Sequence, residues 1–153
     1  MTTPLRIRGI AGLRELEGES LGTSSWYEIG QAEIDRFAEA TGDDYWIHVD
    51  PERARDTTLG TTIAHGLFTL SLGPRCSYEL YEITDVTMVL NYGFDRVRFP
   101  APLPCGSRVR MHATLRSVEE DDRGATVRIE QVFEREGAEK PVCVALSVIR
   151  VVA

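Results

Sequence analysis

The sequence predicts an α+β fold in which an antiparallel β-sheet curls around one buried central helix. Two observations support this prediction. A mainly apolar stretch from His65 to about Tyr81 is typical of a buried helix, and four strand-like segments follow it. At 153 residues the chain is long enough to bury such a core, and we expect a single domain spanning residues 1–153.

The part of the chain before the central helix predicts a short strand and two helices. Residues 23–29 can form the strand, and residues 31–41 place apolar side chains at helical spacing. Gly42 is suited to a left-handed cap after that helix. Asp50 and Pro51 predict the start of a short helix, because aspartate is a preferred N-cap residue and proline suits the first helical position.

The part of the chain from the central helix onward predicts a sheet. Gly73 and Pro74 should kink or interrupt the helix, because proline cannot continue the backbone hydrogen-bond ladder. The strand-like segments are rich in β-branched or alternating apolar residues and are separated by credible turns. They cover residues 86–99, 107–118, 126–134 and 142–151.

Composition and charge narrow the classes of function. The chain is 42% hydrophobic and 27% charged, which is ordinary for a soluble globular protein. A formal net charge of −7 argues against a general nucleic-acid-binding protein, because phosphate binding requires a basic face. A few local arginines could still hold an anionic small ligand.

Cysteine usage and hydropathy indicate the compartment. Cys76, Cys105 and Cys143 have no metal-ligand spacing and no CxxC pair, so we expect reduced thiols and no metal site. No apolar run approaches the ~20 residues that a membrane span needs. Residues 1–9 lack the apolar core of a signal peptide. We therefore expect a cytoplasmic protein with no membrane partner.

Candidate catalytic residues lie close together along the chain. Asp43 and His48 are five residues apart, just after the predicted end of a helix, and His65-Gly66 opens the central helix. A carboxylate and an imidazole that share one water molecule can act as an acid/base pair. A backbone N–H at a helix start can stabilise an oxyanion. These residues indicate chemistry on a carbonyl compound.

The same residues resemble a known family. Residues 42–48, Gly-Asp-Asp-Tyr-Trp-Ile-His, and the later Ala64-His65-Gly66 are similar to the hydratase motif of MaoC-type hot-dog proteins, Gly-Asp-x-Asn-Pro-x-His followed by Ala-His-Gly. Residues 46–54, 90–93 and 96–102 look most like the nodulation-protein-N-like branch. Tyr45 departs from that branch, which usually has glutamine there, and this leaves the substrate range open.

The resemblance implies an (R)-specific enoyl-CoA hydratase, which also works in reverse as a 3-hydroxyacyl-CoA dehydratase. Asp43 and His48 would hold the attacking water against the β-carbon, with Asp43 as the base and His48 sharing the proton. The Gly66 N–H would stabilise the thioester enolate at the positive end of a helix dipole. No cofactor is implied, because coenzyme A is part of the substrate.

The substrate contacts are expected from residues around this motif and from the first long strand. His65 fits a packing or capping role better than catalysis, since the family role belongs to the Gly66 backbone. Arg96 and Arg98 fit either the phosphates of coenzyme A or ordinary surface ion pairs. The full expected set is Tyr45, Trp46, Ala64, His65, Asn91, Arg96 and Arg98.

Two other functions stay open, because fold alone does not determine activity. A thioesterase on the same fold ranks lower, since hot-dog thioesterases usually lack the Asp-x₄-His arrangement. A non-catalytic acyl-thioester-binding protein would have an intact substrate pocket but no turnover. The unusual Tyr45 is the reason for retaining this hypothesis. In either case the resemblance implies a homodimer at least, with the thioester tunnel between protomers.

Overall fold

The computed structural model describes residues 3–153, so Met1 and Thr2 of the expected domain lie outside the described residues. The extent of that domain stays a prediction. The chain forms, in order, β1 (Leu5–Arg8), α1 (Gly9–Glu15), β2 (Ser20–Thr23), β3 (Tyr27–Ile29), α2 (Gln31–Thr41), α3 (Trp46–Val49), α4 (Pro51–Arg55), α5 (Gly66–Ser71), α6 (Gly73–Leu80), β4 (Tyr81–Thr84), β5 (Met88–Arg98), β6 (Ser107–Asp121), β7 (Gly124–Arg135) and β8 (Cys143–Val152).

The predicted antiparallel sheet is confirmed. Its strands lie in the order β2-β6-β7-β8-β5, and β3 also pairs with β6. All of these pairings are antiparallel. Strand β5 occupies one end of this order, so one of its edges pairs with β8 and its other edge has no strand partner among the described residues.

The core lies between this sheet and the central helical segment. Alternate residues of β6, β7 and β8 are buried on the inner face, as the two-residue period of a strand requires. They pack in one cluster with Leu72, Cys76 and Leu80 from the helical segment. This confirms the predicted α+β architecture of a curved sheet around a helix.

The central helix differs from its prediction in one respect. The expected interruption is confirmed, because α5 ends at Ser71 and α6 begins at Gly73, with Pro74 in its first turn. The predicted burial applies to one face only, since Leu67 is 61% exposed and Tyr78 is 77% exposed. The sheet covers one face of the segment and leaves the opposite face uncovered within a single chain.

Local signals earlier in the chain are confirmed where they depend on neighbouring residues. Helix α2 spans the predicted residues, and Gly42 follows it with a φ of 76°. Asp50 Oδ1 accepts a hydrogen bond from the Arg53 N–H at 3.0 Å and caps α4. The predicted strand over residues 23–29 is wrong as one element, because the structure divides it between β2 and β3.

A small parallel sheet of β1 and β4 was not predicted. It joins residues that lie far apart in the sequence, with Ile7 opposite Ile83. Helix α1, which follows β1, was not predicted either. Within the described residues, the helices are too short and too polar for any of them to traverse a lipid bilayer.

Candidate active site

The turn after α2 delivers the first catalytic candidate to the start of α5. The Gly42 N–H closes α2 by donating to the Ala38 carbonyl at 2.8 Å, and its left-handed backbone redirects the chain. Asp43 follows at once, and its backbone carbonyl accepts a hydrogen bond from His65 Nε2 at 2.8 Å. The loop that carries Asp43 is therefore fastened to the residue that precedes α5.

Three polar side chains come together at this point. One donor atom each from Asp43, His48 and His65 lies within 4.8 Å of the other two. The two imidazoles are buried, at 9% and 3% exposure, whereas Asp43 is exposed. The structure thus brings together the predicted pair of Asp43 and His48, with a solvent-facing carboxylate beside a buried imidazole.

The orientation of His48 is fixed by a backbone contact. Its Nδ1 lies 2.7 Å from the Ile63 carbonyl oxygen, which can only accept, so Nδ1 carries the proton. In the neutral ring, Nε2 then offers a lone pair. That atom can accept a hydrogen bond from a water molecule held between His48 and Asp43.

His65 supports the site from beneath. Its ring stacks on His48 with centroids 3.7 Å apart and also packs against Phe37 at 4.9 Å. Its Nε2–H is used on the Asp43 carbonyl, and its buried Nδ1 has no hydrogen-bond partner within residues 3–153. This placement agrees with the packing role that the sequence indicated.

Within residues 3–153, the same three residues form the group that could hold a metal ion. The His48 and His65 rings are inclined by only 23° with their centroids 3.7 Å apart, so their in-plane lone pairs lie in two nearly parallel, offset planes. Lone pairs in this arrangement do not converge on one ion at the ~2.0–2.1 Å that a zinc–imidazole bond requires. The arrangement fits a water molecule better than a metal ion.

Gly66 stands in close contact with the end of β5. A Cβ built on Gly66 would lie 2.8 Å from the Phe99 ring, so only glycine allows this approach. Gly66 is the first residue of α5, where backbone N–H groups have no intrahelical partner. Ala64, two residues earlier, is buried and donates its N–H to the Leu103 carbonyl at 2.8 Å.

The expected substrate-contact residues are divided between two places. Tyr45 and Trp46 lie beside the cluster, with Tyr45 58% exposed and the Trp46 ring covered by the Arg53 guanidinium at 4.2 Å. Asn91 instead lines a separate cavity between the helical segment and the sheet.

The two arginines of the expected set lie on exposed parts of β5. Arg98 donates to the Val97 carbonyl, and neither Arg96 nor Arg98 forms an ion pair within residues 3–153. The ordinary ion pairs that one interpretation expected are therefore not made among the described residues. Arg98 immediately precedes Phe99, which places it near the start of α5.

Sequence reasoning missed Gln31 and Thr62. The Gln31 amide donates to the His48 carbonyl at 2.7 Å and accepts from the buried Thr62 hydroxyl at 2.6 Å. These bonds fix the backbone of α3 against α2. Gln31 is the first residue of its helix, and no local pattern distinguishes it from a surface residue there.

The sequence is similar to a known family and to named members of it. The model of the MaoC like domain matches residues 14–136. The 3-hydroxyacyl-thioester dehydratase Z of Mycobacterium tuberculosis is 48% identical over 145 residues, covering 94% of this chain and 96% of the relative. Nodulation protein N of Rhizobium leguminosarum bv. viciae is 43% identical over 133 residues, covering 84% and 81%.

Solved structures support the same fold. The R-hydratase PhaJ1 from Pseudomonas aeruginosa superimposes with a TM-score of 0.74 at 20% identity, covering 91% of this chain and 84% of that one. The (R)-hydratase from A. caviae gives a TM-score of 0.72 at 19% identity, with coverage of 87% and 94%. At such identities the likeness establishes the hot-dog fold, while the family match and the close relatives establish the lineage. The chain therefore belongs to the MaoC-like family and is an enzyme of its hydratase and dehydratase type.

Proposed function

We propose that this chain is an (R)-specific enoyl-CoA hydratase, which adds water reversibly to a trans-2-enoyl-CoA and gives an (R)-3-hydroxyacyl-CoA. The observation that carries the proposal is the meeting of Asp43 with a His48 whose Nδ1–H is committed to Ile63. That meeting leaves one carboxylate and one imidazole lone pair for the two hydrogens of a single water molecule.

The proposed mechanism follows from those acceptors. Water donates one hydrogen bond to Asp43 and the other to His48 Nε2, and its oxygen attacks the β-carbon of the enoyl thioester. Asp43 takes the proton from the water, and His48 orients the water and shares the charge. The enolate oxygen is stabilised by the Gly66 N–H at the start of α5. Asp43 then returns this proton to the α-carbon, which completes the addition and regenerates the carboxylate, and the reverse sequence is a dehydration.

Coenzyme A as the carrier of the acyl group is part of the proposal. A close relative is named a 3-hydroxyacyl-thioester dehydratase, which supports a thioester substrate here. Arg96 and Arg98 have no acidic partner within residues 3–153, and β5, which carries them, ends beside Gly66, so we assign them to the phosphates of coenzyme A. The addition of water neither oxidises nor reduces the substrate overall, so the reaction needs no cofactor. We place it in the cytoplasm, in keeping with three free thiols.

A homodimer is the proposed assembly. The outer edge of β5 has no strand partner, and its large apolar residues are exposed by 42% to 79%. An unpaired edge strand of 11 residues that carries exposed apolar side chains is prone to pairing with another chain. A second copy that adds its own β5 would cover this edge by symmetric pairing. The edge residues concerned are Met88, Val89, Leu90, Tyr92 and Phe94.

The test uses crotonyl-CoA and a longer trans-2-enoyl-CoA, with loss of the enoyl absorbance followed and the product's chirality determined. We expect the wild type to form the (R)-alcohol and Asp43→Asn to lose ~10²–10⁴-fold in rate, because an amide cannot take the proton. Asp44→Asn is the matched control, since it makes the same change at the neighbouring exposed position.

Two other outcomes would replace the proposal. Release of free thiol without loss of the double bond would identify a thioesterase. Tight binding of both thioesters without turnover would identify a binding protein. Equal activity of Asp43→Asn and Asp44→Asn would remove Asp43 from the mechanism.

A further inference from the structure

A second feature of the chain is a polar break in the inner face of the sheet. The inward positions of β7 are apolar except for Gln131, and those of β8 are apolar except for Ser147. The register places Gln131 opposite Ala145 and Ser147 opposite Ile129. The two polar residues are therefore diagonal neighbours on one face of the sheet.

Both side chains are buried but face open space. Gln131 is 6% exposed and Ser147 is 5% exposed, and within residues 3–153 neither has a polar atom that is sealed from the surface without a partner. Polar atoms that face a cavity can form hydrogen bonds to water or to a ligand that fills it. A sequence that selected only for stability would place apolar residues at both positions.

Both side chains line the same cavity of about 740 Å³. The cavity lies between the inner face of the sheet and the junction of α5 and α6, and Asn91 and Phe94 of β5 stand at its side. Gly73 makes room for the amide, because a Cβ there would lie 3.1 Å from Gln131 Oε1. The helix thus approaches the sheet without covering the polar pair.

The cavity is placed to receive the far end of a substrate. It includes Leu70 and Ser71 of α5, the helix whose first residue is Gly66. At 1.5 Å per helical residue, Gly73 lies ~10 Å along the helical segment from Gly66. This distance is comparable with the length of a medium acyl chain whose thioester lies at Gly66.

We propose that this cavity selects acyl chains that carry a neutral oxygen function, such as a hydroxyl or keto group, in their distal part. The proposal rests on the proposed hydratase function and defines its substrate class. Gln131 can donate to and accept from such a group, and Ser147 can do the same. A carboxylate is disfavoured, since among the described residues Glu82 is the only charged one that lines the cavity.

The test compares trans-2-octenoyl-CoA with its ω-hydroxy analogue, and uses crotonyl-CoA to report the chemistry alone. We expect wild-type kcat/KM to be ~10-fold higher for the hydroxylated chain, because sites built around hydrogen bonds discriminate against chains that lack the matching group. Gln131→Leu and Ser147→Ala should each abolish this preference. Ser117→Ala is the matched control, because it is a strand serine outside the cavity lining.

The failures of the two proposals are distinguishable. Turnover of crotonyl-CoA with equal or better use of the apolar octenoyl chain would overturn the cavity proposal and leave the hydratase proposal standing. If no thioester is turned over, calorimetric titration of the two octenoyl thioesters decides the cavity proposal: tighter binding of the hydroxylated chain supports it, and equal binding or none overturns it. Gln131→Leu and Ser147→Ala alter the same site by independent changes, so misfolding of one leaves the other as the test.

Discussion

Gly66 lies so close to the Phe99 ring that there is no room for a side chain at this position. A Cβ at this position would lie 2.8 Å from the Phe99 ring, well inside ordinary van der Waals distance. We expect Gly66→Ala to lower the free energy of unfolding by ~1–3 kcal/mol, the usual cost of overpacking. The start of α5 would shift with the strain, so hydration of crotonyl-CoA should fall as well. Urea denaturation and the initial rate measure the two effects.

A double-mutant cycle identifies the origin of that loss. In a Phe99→Ala background the ring is gone, and Gly66→Ala should then cost little, because alanine has the better helix propensity. Recovery of the hydration rate in the double variant, relative to Phe99→Ala alone, would assign the effect to this contact. An unchanged cost in the Phe99→Ala background would refute it.

The predictability of the site depends on the separation of its residues along the chain. Asp43 and His48 are five residues apart, so the turn after α2 and the short helix α3 suffice to bring them together. Gln31 acts on His48 from 17 residues away, and Ile63 from 15 residues away. Those contacts depend on how α2 and the segment before α5 pack, which no local pattern reveals.

The predictability of helices and strands also depends on how far apart the interacting residues lie along the chain. Helix α2 and the Asp50 cap were predicted because their signals are formed by adjacent residues. The four long strands were predicted to within a few residues. In β6, β7 and β8 the sheet buries alternate residues on one face, whereas β5 was predicted from its apolar and β-branched residues although none of them is buried in the single chain. The parallel pairing of β1 with β4 was missed, since it joins residues that are remote in sequence and leaves a burial pattern with little alternation.

The buried thiol of Cys143, at the start of β8, makes the stability of the fold depend on pH in the alkaline range. Cys143 is fully buried opposite Phe133, and burial raises its pKa from 9.0 to about 12. The unfolded chain releases this proton at lower pH than the native chain does. The contribution of Cys143 to stability is therefore complete below about pH 9 and is lost as the pH rises toward 12.

We expect the free energy of unfolding to fall across that window, with Cys143 contributing up to ~1.4 kcal/mol per pH unit. Urea denaturation at several pH values measures the slope. Cys143→Ala should flatten it, whereas Cys105→Ala, at a half-buried thiol, is the matched control. Identical slopes in the wild type and Cys143→Ala would contradict the assignment. Burial also raises the pKa of Tyr27 to about 12, so part of the decline remains in both variants.

At the scale of the whole molecule, the chain is asymmetric. The sheet ends on one side in the short strands β2 and β3 and on the other side in the long strand β5, whose outer edge is unpaired within residues 3–153. The cavity that contains Gln131 is bordered by Val89, Asn91 and Phe94 of that strand. A second copy that pairs along β5 would therefore cover apolar surface and enclose the cavity in one step.

Tyr92 provides the test of that assembly. It is 79% exposed in the single chain, on a strand whose register shifts between Asn91 and Gly93. We expect Tyr92→Lys to weaken the dimer, because two symmetry-related ammonium groups would be brought into an apolar interface. Sedimentation at several concentrations measures the effect, and Glu139→Gln is the matched control, since it changes the net charge equally at an exposed turn.

A wild type that is monomeric at all concentrations would exclude pairing through β5. A dimer of unchanged affinity in Tyr92→Lys would place the interface on another surface. If the dimer forms as proposed, dissociation should also reduce discrimination between the hydroxylated and apolar acyl chains, because the cavity would then be open along β5.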